Sequence, residues 1–160
     1  METFWKLKPE RMALDTGVLM EYIVKRAPYR RKVVALFESV AEGNIKLYVS
    51  PITLSETIYV ASRIYEASSI PNPNEEALKY VEWLKDKMSV INVTEEVMTR
   101  AGELKKELRI ALPDCYVIAT AEQVGASPLF RKVEREMKPV LSKLEELGVL
   151  FLDRIEWLCH

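Results

Sequence analysis

Leu112-Pro113-Asp114-Cys115-Tyr116-Val117-Ile118-Ala119-Thr120-Ala121 reads as the opening of one short helix. Pro113 suits a first helical turn, where its missing N–H has no intrahelical partner to lose, and Gly125 supplies the stop. Val117, Ile118 and Ala121 fall at helical spacing from Asp114, so this acid shares a stripe with apolar residues. Taken alone, an acid in a first turn is a partner for the helix dipole. Set on an apolar stripe, it also points inward or toward a cleft. The helix is followed at once by Pro128-Leu129-Phe130, a very short apolar strand, and that pairing of short strand with short helix recurs outward in both directions.

Toward the N-terminus, Met12-Ala13-Leu14 is a brief apolar run that ends at Asp15-Thr16-Gly17 and gives way to a helical pattern from Val18. Val33, Val34, Leu36, Phe37 and Val40 place a second helix between Pro28 and Gly43. Ile45 to Val49 alternates as a strand, and Ser50-Pro51 is an N-cap followed by proline at the first helical position, predicting about four turns toward Ser68. Ser68 to Asn74, with two prolines and several turn formers, is a loop. Leu78, Val81, Trp83 and Leu84 mark a helix over 75–87, and Val90-Ile91-Asn92-Val93 reads as a buried strand. Thr94 then caps a helix from Glu95 to Leu108. Beyond the opening stretch, Glu134 to Leu147 is a helix stopped by Gly148, and Val149 to Leu152 is the last strand. Short apolar strands alternating with helices predict an α/β fold, a three-layer α/β/α sandwich around a mainly parallel sheet of four to five strands. Residues 1–160 are expected to form one domain. In such sheets, ligand sites form beyond the carboxyl ends of the strands.

A formal net charge of −1 leaves no global basic field, so contact with a polyanion would have to use local patches. The two cysteines, Cys115 and Cys159, suggest neither a disulfide framework nor a zinc spacing. No apolar run approaches the roughly 20 residues that span a bilayer, and the N-terminus carries no signal-peptide pattern. The expectation is a cytoplasmic protein with no membrane contact.

Three acids occupy awkward places. Asp15 stands where the first strand ends, and alone it reads as the N-cap of the following helix. Glu56 falls mid-helix with Ile52, Tyr59 and Val60 on its own face; a salt bridge to Arg63 is the plain explanation. A carboxylate set into an apolar face is otherwise paired, protonated or bound to a metal. Asp15, Glu56 and Asp114 meeting above the strand ends would repel one another, a cost that a divalent cation removes. All-oxygen ligands favour Mg²⁺ or Mn²⁺ over zinc. The only histidine is His160, so a Ser-His-Asp triad and a structural zinc site both lack parts.

Leu14-Asp15-Thr16-Gly17, Ser50-Pro51 through Ser55-Glu56, and Leu112-Pro113-Asp114 through Ala119-Thr120-Ala121, in that order, resemble the PIN domain, in particular the VapC-type ribonuclease toxins of toxin–antitoxin pairs. The resemblance implies an α/β/α sandwich, a Mg²⁺- or Mn²⁺-dependent ribonuclease leaving a 5′-phosphate, an antitoxin that blocks the site, and a homodimer. By the same resemblance Asp15, Glu56 and Asp114 are the metal-binding and catalytic acids, and Thr16 is a supporting hydroxyl. The family commonly has a fourth acid after the strand that follows the Asp114 helix, where this chain reads Leu129-Phe130-Arg131-Lys132-Val133-Glu134-Arg135-Glu136. Glu134 is the candidate replacement; an acid in the first turn of the next helix is its other reading. Arg131, Lys132 and Arg135 emerge at the same sheet edge and are candidates for RNA phosphates, as are Arg30, Arg31 and Lys32; a solvated charged face is the default reading of either run. Tyr22, Tyr29 and Tyr59 are candidates for stacking on unpaired bases. Trp5, Tyr22 and Trp83 are candidate contacts for an antitoxin. The missing fourth acid keeps a second reading open, a degenerate domain of this fold that binds RNA or a protein without cutting. A phosphate-transfer receiver domain would want a tighter acidic pair after the first strand than Leu14-Asp15 offers.

Overall fold

The computed structural model describes residues 8–158. Strand β1, Arg11–Leu14, lies at the centre of a parallel five-stranded sheet. Lys46–Val49 (β2) and Ser127–Phe130 (β4) flank it, with Ser89–Val90 (β3) outside β2 and Leu150–Phe151 (β5) outside β4. The order β3-β2-β1-β4-β5 turns back on itself at β1, the kind of switch point beside which ligands bind in α/β sheets.

Alternation along these strands divides the core in two. Met12, Leu14, Leu47, Val49, Leu129 and Leu150 point to one face and pack on helices α1 (Thr16–Ile23), α2 (Arg30–Ala41), α3 (Pro51–Ala67) and α4 (Pro73–Lys87). Ala13, Tyr48, Phe130 and Phe151 point to the other, against α5 (Glu95–Leu108), α6 (Leu112–Val124) and α7 (Leu141–Glu146). Leu36, Leu84, Leu104 and Ile118 are fully buried between the layers, each contributing about 1.5–3 kcal/mol of hydrophobic stabilisation. The buried Tyr80 hydroxyl donates to the Leu19 carbonyl at 2.6 Å, fastening α4 to α1.

The helix boundaries follow their capping chemistry. Ser50 Oγ accepts from the Ile52 N–H at 3.1 Å and Thr94 Oγ1 from the Val97 N–H at 3.2 Å. Gly125 ends α6 in the left-handed region, φ 66°, where glycine has no Cβ to clash.

Four expectations are corrected. The strand read as Val90–Val93 pairs only through Ser89 and Val90 and is exposed, because β3 is a sheet edge with one neighbour. The helix read as 134–147 is a 3-10 helix over Arg135–Val140 followed by the short α7; Pro139 has no N–H to complete an α-helical ladder. Helix α4 starts at Pro73, inside the stretch read as loop. The last strand is Leu150–Phe151 alone, and Leu152 opens a 3-10 turn. Trp5, Cys159 and His160 lie outside the described residues. Among the described residues, no helix is long and apolar enough to cross a membrane.

Candidate active site

The register of β1 with β4 fixes the first acid. The Asp15 N–H donates to the Leu129 carbonyl at 3.0 Å, carrying the β1–β4 ladder one residue past Leu14 and setting Asp15 on the carboxyl rim of the sheet. Its carboxylate accepts from the Gly17 N–H at 3.2 Å, so it does cap α1. The capping role leaves most of its acceptor capacity unused, since a carboxylate offers about four lone-pair sites.

Thr16 is buried, and its hydroxyl donates to the Thr53 carbonyl of α3 at 3.5 Å. This bond joins the strand end to the helix that carries Glu56. Glu56 is half-buried one turn later on α3. The salt bridge to Arg63, the plain alternative for Glu56, does not form: Arg63 Nη1 donates instead to the Tyr59 hydroxyl at 2.9 Å and its guanidinium lies 5.7 Å from that ring. Glu56 has no cationic partner among the described residues. Asp114 opens α6, which packs on β1, β2 and β4 and touches α3.

Electrostatics bind the three together. Asp15 is pushed up to about 6, chiefly by burial, against the lowering pull of the Gly17 and Thr16 backbone N–H groups and with added repulsion from Glu56 and Glu134. Asp114 is pushed up to about 7, first by burial and then by repulsion from Asp15, Glu136, Glu56 and Glu134. The charges acting on both acids are thus negative. Glu134, exposed after β4, stands within electrostatic reach of both, and Glu136 joins it at Asp114. Sequence reading missed Glu136, whose two-residue spacing from Glu134 on an expected α-helix gave no signal. Among the described residues, no three side chains are gathered into a ready ligand cluster. Cys115, buried beside Asp114, has its thiol pushed up to about 11, chiefly by desolvation, which disfavours the thiolate.

The other candidates divide. Lys132 and Arg135 are exposed near the rim. Arg131 Nε donates to Glu21, a 4 % exposed acid of α1, whose second oxygen accepts from the Tyr29 N–H at 2.9 Å. Sequence reading missed Glu21, although an acid in the otherwise apolar run Thr16–Ile23 carried the same signal as Glu56. Lys32 Nζ donates to the carbonyls of Leu152 and Asp153, and Arg30 Nε to that of Tyr22, so both tie elements together. Tyr22 and Trp83 are stacked at 4.9 Å beside Phe37 and Tyr80 and are half-buried. Tyr29 faces Arg131 and Lys32. Tyr59, by contrast, is 59 % exposed one turn from Glu56.

The family model of the PIN domain matches residues 12–137. No curated protein sequence matches the chain. Among solved structures, it is similar to VapBC-1 from nontypeable Haemophilus influenzae at 19 % identity and TM-score 0.62, over 89 % of this chain and 98 % of that one. It is similar to FitAcB from Neisseria gonorrhoeae at 18 % identity and TM-score 0.64, over 88 % and 97 %. A toxin–antitoxin complex from Klebsiella pneumoniae aligns at 17 % identity and TM-score 0.60, over 88 % and 97 %. At these identities the likeness is one of fold.

Proposed function

The chain belongs to the PIN domain family, and on that premise we propose that it is a divalent-metal-dependent ribonuclease, the toxin of a toxin–antitoxin pair. The observation that carries this reading is the placement of two half-buried acids, Asp15 held on the carboxyl rim of the sheet by the Leu129 carbonyl and Asp114 in the first turn of α6, each raised toward neutrality by desolvation and by other acids. Uncompensated carboxylates of this kind fit a hard cation, Mg²⁺ or Mn²⁺, held by Asp15, Glu56 and Asp114 with Glu134 as a further ligand. When bound, such an ion polarises a phosphodiester oxygen and lowers the pKa of water for in-line attack.

The remaining work falls to the chain itself. Asp15 is held rigidly by the Leu129 carbonyl and the Gly17 N–H, so its carboxylate is positioned before any ligand arrives. Asp114, with its raised affinity for protons, is suited to exchange a proton for a cation near neutral pH. Lys132 and Arg135 offer exposed cations to substrate phosphates at the rim, and Tyr59 offers an exposed ring to an unpaired base. The Tyr22–Trp83 stack lines a cleft of about 430 Å³ with Val34, Phe37 and Val40, with Glu38, Asp86 and Lys87 also in its lining, an amphipathic seat for an antitoxin segment. A homodimer in the cytoplasm completes the reading by family resemblance.

Cleavage of single-stranded RNA tests it. The wild-type protein with Mn²⁺ is expected to cut; EDTA and Asp15→Asn are each expected to reduce cutting to background. Cleavage surviving both changes would remove these acids from the chemistry. Metal-insensitive RNA binding without cleavage would favour the second reading, a degenerate binding domain, which the absence of an Asp after Phe130 keeps in play.

A further inference from the structure

Beside the acids lies a second cavity that their chemistry does not use. It measures about 380 Å³ and is lined by Gly17, Met20, Val24, Arg26, Pro28 and Arg131, with Glu21 at its base. Gly17 joins it to the acid site. A Cβ at that glycine would stand 3.1 Å from Arg131 Cβ and 3.4 Å from Asp15 Oδ2, so the arginine stem and the acid flank one point of backbone.

Arg131 is anchored rather than free. The buried Glu21 carboxylate takes its Nε, and the Tyr29 ring lies 5.4 Å from its guanidinium carbon. Neither of its Nη groups has a hydrogen-bond partner among the described residues, and neither is sealed from solvent. A guanidinium locked through one nitrogen and one ring face loses little freedom when its other two nitrogens bind, and its fork matches phosphate oxygens. Arg26, exposed on the turn between α1 and α2, has no ion-pair or hydrogen-bond partner among the described residues and adds a second cation. Met20, Val24 and Pro28 form an apolar wall. The volume sits at the small end of ligand pockets, roughly 300–1,000 Å³, and suits one nucleotide rather than a duplex.

We infer that this cleft holds the nucleotide next to the scissile bond, with Arg131 Nη groups and Arg26 on its phosphate and the apolar wall against its sugar and base. The inference rests on the nuclease reading and deepens it. It gives the fold's switch point two halves: acids over β1 and α6 for the chemistry, and an anchored arginine over β4 and α1 for strand placement.

Fluorescence anisotropy of a labelled single-stranded RNA hexamer in EDTA, where no cleavage occurs, measures the cleft alone. Arg26→Ala and Arg131→Lys are each expected to weaken binding about five- to tenfold; Arg26→Ala, which removes a charge, should also reduce the salt slope by about 0.7, the loss of one single-strand phosphate contact, whereas Arg131→Lys loses only the fork and should keep the wild-type slope. Lys106→Ala, an exposed cation on α5, serves as control and should bind as wild type. Arg131→Lys disturbs a buried partner, so its fold is checked by melting; Arg26→Ala is a surface change that keeps the test decisive. A DNA hexamer of the same sequence showing the same proportional losses indicates that phosphate is what the cleft reads. Unchanged affinity in both variants, or an unchanged slope in Arg26→Ala, would overturn the proposal, as would a wild type that binds neither strand. Cleavage with Mn²⁺ alongside unaffected binding would leave the nuclease standing and the cleft refuted; lost binding in the variants without cleavage by wild type would do the reverse.

Discussion

Asp114 carries a stability cost that the proposed metal site would relieve. Its carboxyl is raised from an ordinary 3.8 to about 7, and that of Asp15 to about 6. For acids raised in this way the folded chain keeps protons that the unfolded chain has already released. Their contribution to stability is therefore fully present below about pH 4 and is lost as pH rises through 6 to 7. Without metal, Asp114→Asn should melt close to wild type at pH 4 and higher than wild type at pH 8. A difference on the order of 2 kcal/mol corresponds to roughly 4–8 °C for a chain of this size. Calorimetry of both proteins across that range checks it, and a variant less stable at pH 8 would mean that Asp114 is satisfied as it stands. Metal binding displaces the same protons, so Mn²⁺ affinity is expected to rise between pH 6 and pH 8, read by titration at each pH.

The acids were legible in the sequence because each violates a local pattern: Asp15 ends an apolar strand, while Glu56 and Asp114 interrupt apolar helix stripes. The link between Glu21 and Arg131 was not, since 110 residues separate its partners and only the pairing of β1 with β4 brings them together.

Elements place these residues, and their caps can be separated from their chemistry. Thr94→Ala removes the oxygen that accepts the Val97 N–H at the start of α5, far along the chain from every proposed ligand. It should cost about 1 kcal/mol, or roughly 2–4 °C, and leave RNA cleavage unchanged. Ser50→Ala removes the equivalent bond from α3, the helix that carries Glu56 and accepts from Thr16. It should cost a similar amount in melting and, in addition, lower cleavage. Equal activity in the two variants would show that α3 is held by packing alone. Helix boundaries were readable where Ser50-Pro51, Thr94 and Pro113 mark them, and Glu95–Leu108 is observed as expected, whereas Pro73, which opens α4, was hidden among turn formers. The apolar run Val90–Val93 misled because hydrophobicity does not say how many neighbours a strand has. The segment after Lys132 misled because an amphipathic spacing concealed the missing N–H of Pro139.

The whole molecule carries a formal charge of −1, so no general attraction to nucleic acid supports the nuclease reading. Everything depends on local arrangement at the carboxyl rim, where Asp15 and Asp114 lie within electrostatic reach of Glu56 and Glu134 and have no salt-bridge partner among the described residues. Sequence order gave the parallel sheet; the strand order β3-β2-β1-β4-β5, which brings residues 15 and 131 to one edge, required the fold. The central claim, that these acids hold a divalent cation, is tested most directly by the melting temperature at pH 7.5 with and without Mn²⁺ for wild type and Asp114→Asn. At a concentration about 100 times the dissociation constant, the wild type should gain about 2.7 kcal/mol and melt roughly 5–10 °C higher, and the variant should lose most of that gain. Equal shifts in the two proteins, or none in the wild type, would contradict it.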